Sequence, residues 1–270
     1  MAKPSTPRRF APLRDSAGRS HETLPSLKGV IFDVDGTLCL PQNYMFAEMR
    51  SVLGISKTTD ILTHISSLPT AAEQATAMAA IRAIERKAME SQEAQPGLSQ
   101  LMQYLQDRGM RKAICTRNFD LPVTHLLEKF LSGHHFAPIV TRDFRPPKPD
   151  PAGLLFIARS WGLVRRGGAT ATNLLLADPG RIRPDETELA SGVVREEVDV
   201  EVGDASSLIM VGDSIDDMTA GRHAGAATVL LMNSQNAHLA EHPHTDLVIK
   251  RLDELVEVLE NGFVGREILR

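Results

Sequence analysis

Short, continuously apolar runs recur along the chain, and each stops at a turn or a polar cluster. Gly29–Phe32, Lys112–Cys115, Ala137–Val140, Leu208–Val211, Ala227–Met232 and Leu247–Ile249 all have this form. Strands buried on both faces read this way, because neither side meets water. Between them lie stretches with apolar residues at helical spacing, each closed by a glycine suited to a left-handed cap. These are Leu98–Arg108 before Gly109, Val123–Leu131 before Gly133, Pro151–Trp161 before Gly162 and Asp216–Ala224 before Gly225. The alternation predicts an α/β chain built on a doubly wound parallel sheet with helices on both faces.

The alternation breaks twice. Residues 42–95 hold no convincing strand, but Ala71–Met89 carries strong helix formers with Met78, Ile81, Ile84 and Ala88 at helical spacing. This predicts a small helical cap inserted after the first strand, its methionines and isoleucines used for packing. The second break, at about 165–207, is rich in glycine, proline and acids and reads as an acidic surface excursion. Within it Val193–Val202 alternates, which leaves room for a hairpin near a sheet edge. The core then takes residues 28–41 and 96–270.

Residues 1–27 read as a disordered basic tail, whose first twenty residues hold Lys3, Arg8, Arg9, Arg14 and Arg19 against Asp15. Mitochondrial import is the alternative reading, but Pro4, Pro7 and Pro12 break the amphipathic helix that a transit peptide needs. A cytoplasmic location is expected. The composition, 42% hydrophobic and 24% charged, excludes wholesale disorder. A net charge of -4 gives no electrostatic basis for binding nucleic acid. No apolar run approaches the roughly 20 residues of a membrane span. Cys39 and Cys115, the two cysteines, match neither a zinc nor a redox spacing and read as reduced thiols near strand ends.

The strongest local signal is Asp33-Val34-Asp35-Gly36-Thr37, directly after the first strand. Open parallel sheets bind ligands at the carboxyl ends of their strands, and residues two apart in an extended segment project to one face. One carboxylate can attack phosphorus while the other protonates a leaving oxygen. Alone, such a pair is also compatible with binding calcium or shaping a turn. Three further strand ends add to it. Thr116, with Arg117 and Asn118, offers a hydroxyl and amides to a phosphate oxygen, or a helix cap. Lys148 stands in the stiff Pro146–Pro151 segment, where it can neutralise phosphate or simply remain solvated in a rigid linker. Asp213 and Asp217 open a helix after the Leu208–Val211 strand, suited to hard Mg²⁺ and also to capping that helix. Val202-Gly203-Asp204 repeats the triplet of Val211-Gly212-Asp213, but only Asp213 follows a continuous apolar strand and precedes a helix.

The ordered set Asp33/Asp35, Thr116, Lys148 and Asp213/Asp217 resembles the haloacid dehalogenase-like (HAD) superfamily, and within it the phosphoglycolate-phosphatase-like branch. The resemblance runs from Gly29 to the C-terminal helix. It implies a Rossmann-like core, a phosphatase acting on a small phosphorylated metabolite, and an aspartyl-phosphate intermediate. Asp33 would be nucleophile and Asp35 general acid, then base. Thr116, Arg117, Asn118 and Lys148 would bind substrate, Thr116 and Lys148 serving catalysis. Mg²⁺ would sit on Asp33, the Asp35 carbonyl and Asp213, with Asp217 in support. Asp35 argues against dehalogenation, whose leaving group needs no acid. The cap at 42–95 is expected to select the substrate. Leu38–Gln42 lacks the acidic residue many relatives carry there. A sugar-phosphate mutase or phosphotransferase is the alternative on this scaffold, and a non-catalytic regulatory protein the alternative outside it.

Overall fold

The computed structural model describes residues 7–14, 24–167 and 200–266. Its centre is β1 (Gly29–Phe32), every residue of which is buried. It pairs in parallel with β2 (Arg111–Cys115) on one side and β6 (Leu208–Gly212) on the other. With β3 (Ile139–Val140), β7 (Ala227–Leu231) and β8 (Leu247–Ile249) the order is β3-β2-β1-β6-β7-β8, all pairs parallel. This is the doubly wound α/β sheet that the apolar runs imply.

Helices cover both faces. On one, α4 (Leu98–Asp107), α5 (Asp120–Phe130) and α8 (Glu254–Asn261) press Leu101, Leu105, Leu126, Leu255 and Leu259 onto Val30, Phe32, Ile114 and Val229. On the other, α6 (Ala152–Ser160) and α7 (Ile215–Ala224) bring Leu154, Ile157, Ala220 and Ala224 against Ile31, Ala113 and Met210. Each buried leucine or isoleucine contributes about 1.5–3 kcal/mol. This two-sided burial is why the strands carry no polar alternation.

Two boundaries depart from the periodicity. Helix α5 begins at Asp120, not Val123, because Pro122 occupies the first turn, where its missing N–H leaves no bond unmade. Strand β3 is short because Pro138 has no N–H for the ladder, although its carbonyl still accepts from Ile114 N at 3.3 Å.

Between β1 and α4 the chain forms α1 (Asn43–Leu53), α2 (Ile61–Ser67) and α3 (Ala71–Glu90). Their apolar faces make a separate core of Met45, Met49, Ile61, Ile65, Ile81 and Ile84, which Phe119 joins from the sheet side. Asp60 caps α2 through Thr63 N, and Thr70 and Glu73 close a capping box on α3.

Residues 7–14 are not a free tail. Phe10 is 2% exposed, its ring 5.6 Å from that of Phe263, and its N–H bonds the Phe263 carbonyl. One aromatic side chain outweighs the charges around it. The acidic excursion opens and closes on an antiparallel pair, β4 (Val164–Gly167) with β5 (Val200–Gly203). Its residues 168–199, including Val193 to Asp199, lie outside the described residues. Among the described residues no helix is long and apolar enough to cross a membrane.

Candidate active site

The sheet reverses direction of winding at β1, with β2 and β3 on one side and β6 to β8 on the other. Ligands of doubly wound sheets bind beyond the strand carboxyl ends at such a switch point. A cavity of about 280 Å³ opens there, lined by Asp33 and Asp35 after β1, Thr116 to Asn118 after β2, Lys148, and Asp213 after β6. Of the expected set only Asp217, which is fully buried, is outside its lining, and the look-alike Asp204 is outside it as well. Asp204 instead turns the chain after β5, accepting Ser206 N at 2.9 Å.

Lys148 joins the acids. Its Nζ lies 2.8 Å from Asp33 Oδ1 and 2.5 Å from Asp217 Oδ1, with the lysine side chain 4% exposed. The two carboxylates hold it charged by raising its pKa against the desolvation that lowers it. Asp217 serves two elements at once. Its Oδ2 accepts from Ser214 N at 3.0 Å and Ser214 Oγ at 2.6 Å, completing the capping box that starts α7. Because Ser214 takes the capping role, Asp213 is left free to face the cavity, its Oδ2 meeting Asn233 Nδ2 at 3.3 Å.

Asp213 reaches the β1 loop because residue 36 is glycine. Gly36 has φ +77°, and a Cβ there would overlap the Asp213 carboxylate. Carboxylate oxygens of Asp33, Asp213 and Asp217 lie within 4.8 Å of one another. Burial pushes the Asp33 carboxyl up to about 7, against the pull of Lys148, and burial with repulsion from Asp217 and Asp33 pushes Asp213 up to about 8. One lysine does not balance this acid cluster. All-oxygen donors, clustered and short of positive charge, fit a hard divalent cation such as Mg²⁺.

Asp35 is set apart from that cluster. Burial raises its pKa, while Asn118 and Cys39 oppose the rise. Cys39 Sγ sits 3.5 Å from Oδ1, and Oδ2 is buried without a hydrogen-bond partner. A carboxyl so placed can hold a proton and has a free oxygen from which to deliver it.

Arginines complete the cavity wall. Arg117 pairs with Asp60 at 2.6 Å and Asp216 at 2.7 Å, so its guanidinium ties the N-terminus of α2 to that of α7. Arg142 donates Nε–H to the Arg117 carbonyl at 2.8 Å, stacks 3.9 Å from the Phe119 ring centroid and faces Glu85 of α3 at 3.4 Å. Arg50 comes from the last turn of α1. Sequence reasoning passes over Arg50, Asp60, Glu85 and Arg142. The signal available was Glu85 itself, an acid on the apolar face that carries Ile81, Ile84 and Ala88.

Comparison with known proteins agrees with this geometry. The family model described as haloacid dehalogenase-like hydrolase matches residues 27–171, and a second, HAD-hydrolase-like, matches 190–255. An uncharacterized hydrolase of Saccharomyces cerevisiae is 40% identical over 243 residues, covering 88% of this chain and 93% of its own. A haloacid dehalogenase-like hydrolase domain-containing protein of Arabidopsis thaliana is 29% identical over 216 residues, 76% of this chain and 71% of its own. Among solved structures, CbbY of Rhodobacter sphaeroides in complex with phosphate superposes with a TM-score of 0.58 at 17% identity, over 85% of this chain and 96% of its own. That likeness is one of fold, and the sequence matches carry the family assignment. A sheet wound about β1, with paired aspartates at its switch point, thus belongs to a chain of the haloacid dehalogenase-like hydrolase family.

Proposed function

We propose that the protein is a Mg²⁺-dependent phosphatase that hydrolyses a small phosphorylated metabolite through an aspartyl-phosphate on Asp33. The observation that carries this reading is the division of labour between two aspartates, Asp33 buried and Asp35 half-buried. Asp33 lies in the acid cluster against Lys148, whereas Asp35 keeps an unpartnered oxygen and a raised pKa. A variant of CbbY binds xylulose-(1,5)bisphosphate, which supports a phosphorylated small molecule as the substrate class.

In this mechanism Asp33 Oδ attacks phosphorus and the bond from phosphorus to the ester oxygen breaks. Asp35 gives its proton to the departing oxygen, and the alcohol leaves. Asp35, now ionised, takes a proton from water as that water attacks the acyl-phosphate, which frees Asp33 and inorganic phosphate. Thr116 and Lys148 hold the transferring group, and Lys148 lowers the repulsion between it and Asp33. Asp33, Asp213 and the Asp35 carbonyl would hold Mg²⁺, while Asp217 is engaged with Lys148 and Ser214. When bound, the cation neutralises charge shared by nucleophile and phosphate.

Purified protein should release phosphate from at least one of phosphoglycolate, sugar phosphates, nucleotides and pyridoxal phosphate, and lose the activity on chelation. Release from none of them, or release indifferent to chelation, overturns the reading. An isomerised sugar phosphate with no free phosphate would favour a mutase.

Metal binding has its own readout. At a hundred times its Kd, Mg²⁺ adds about 2.7 kcal/mol to stability, a rise in Tm of roughly 5 °C or more for a chain of this size. The shift should vanish in Asp213→Ala and persist in Asp204→Ala. A reversal would assign the metal to the other Gly-Asp pair.

A further inference from the structure

Four cations line the cavity, and three are already matched by acids. Lys148 meets Asp33 and Asp217, Arg117 meets Asp60 and Asp216, and Arg142 faces Glu85. Arg50 differs. Among the described residues it makes no ion pair, and its Nη1 reaches only the Phe46 carbonyl of its own helix, at 3.4 Å. Its Nε is buried with no hydrogen-bond partner. A guanidinium has five donors in a planar fork and stays charged at any physiological pH. Leaving one under-used at a cavity wall is unfavourable unless something arrives to fill it.

The surroundings say what that is. Phe46 and Met49 of α1 and Ile61 and Leu62 of α2 line the same cavity as Arg50, and Asp60, which also lines it, is engaged by Arg117. Apolar neighbours lower the local dielectric, so an anion at Arg50 is bound more strongly there than in water. In the mechanism above the transferring phosphoryl group is held at the strand ends by Lys148 and Thr116, whereas Arg50 comes from the cap helix α1. A cavity of about 280 Å³ then limits the span between the two ends to a small molecule.

We infer that Arg50 receives a second anionic group of the substrate, so that the preferred ester is a small phosphate compound with a carboxylate or another phosphate at its far end. This rests on the phosphatase reading above and narrows its substrate class. Arg50 also sits where a cation favours the C-terminus of α1, which is a purely structural role. The two roles have different signatures.

The test compares kcat/KM of wild type, Arg50→Gln and Arg50→Lys, with Tm for each. The esters are phosphoglycolate, a sugar bisphosphate, glycerol phosphate and para-nitrophenyl phosphate. Wild type should favour one of the two doubly anionic esters over glycerol phosphate by at least about tenfold. Arg50→Gln should lower kcat/KM for that ester by about 10- to 100-fold, mostly through KM, and change glycerol phosphate and para-nitrophenyl phosphate by less than about threefold. Arg50→Lys should recover part of the loss. Which doubly anionic ester responds distinguishes a carboxylate from a phosphate. Absence of a preference in wild type, or an equal loss on all esters, overturns the inference; the second would mean that Arg50 serves the transferring group or the helix. Calorimetric binding of phosphoglycolate, the sugar bisphosphate and ethyl phosphate, with Mg²⁺ present and each protein carrying the inactivating Asp33→Asn change, repeats the comparison without turnover. If no ester is hydrolysed, the phosphatase reading fails. Tighter binding of a doubly anionic ligand that is lost in Arg50→Gln would then still uphold the role of Arg50, and equal binding would sink it.

Discussion

Asp33→Asn should abolish phosphate release, by at least about 10³-fold, in a protein that is no less stable than wild type. The first half follows from chemistry, since an amide cannot form the acyl-phosphate and the roles of nucleophile and base are not shared with another group. The second half follows from where Asp33 lies. Its carboxyl is buried beside Asp213 and Asp217, and burial lifts its pKa well above the usual carboxylate range. Asparagine keeps the shape and removes one charge from a crowded acid cluster. Lys148 remains paired with Asp217 at 2.5 Å, so no buried cation is orphaned. Tm in the absence of metal should therefore stay level or rise by a few degrees, the pattern expected when a site holds charge at the expense of stability. Near-normal turnover by folded Asp33→Asn protein would rule out Asp33 as nucleophile. A collapse of Tm would show that the Lys148–Asp33 pair, and not the Lys148–Asp217 pair, holds the site together.

The core of this arrangement was legible because its determinants are local. β1 and β6 are apolar throughout and β2 is so from Ala113 onward, and each delivers a polar residue directly after its last strand residue, at Asp33, Thr116 and Asp213. Period and position in the chain are enough to line these up at one edge of the sheet. The cap wall is different. Arg50, Asp60 and Glu85 lie on or just before helices whose pattern reads as packing, and their roles come from pairings over long sequence separations, such as Arg117 with Asp60 and Arg142 with Glu85. No periodicity encodes such a partner. Residues 7–14 were misread for a related reason, since charge dominates that segment and the single contact of Phe10 with Phe263 decides its placement. Asp217 shows an intermediate case. Its spacing from Asp213 was visible, but only the geometry reveals that its two oxygens serve Lys148 and the α7 cap.

Lys148→Met should be the most destabilising single change at the site. Lys148 is the only cation within salt-bridge distance of Asp33 and Asp217 among the described residues, and all three are largely removed from water. Methionine fills much of the same volume but leaves both carboxylates uncompensated, and removing one partner from a buried ionic group costs about 3–5 kcal/mol. For a chain of this length that is a fall in Tm of roughly 6–20 °C, measured with chelator present, together with loss of turnover. The pH dependence identifies the cause. Asp33 has a folded pKa raised above its unfolded value, so the folded state binds more protons than the unfolded state between the two, and stability falls as pH rises through that window. Removing Lys148 raises the folded value further and extends the fall to higher pH. The deficit relative to wild type should accordingly shrink between pH 8 and pH 5. A double variant, Lys148→Met with Asp217→Asn, should recover much of the lost stability while remaining inactive. A deficit that is constant across this pH range and unrelieved by Asp217→Asn would trace the loss to packing around the lysine stem, and the electrostatic account of the site would fall with it.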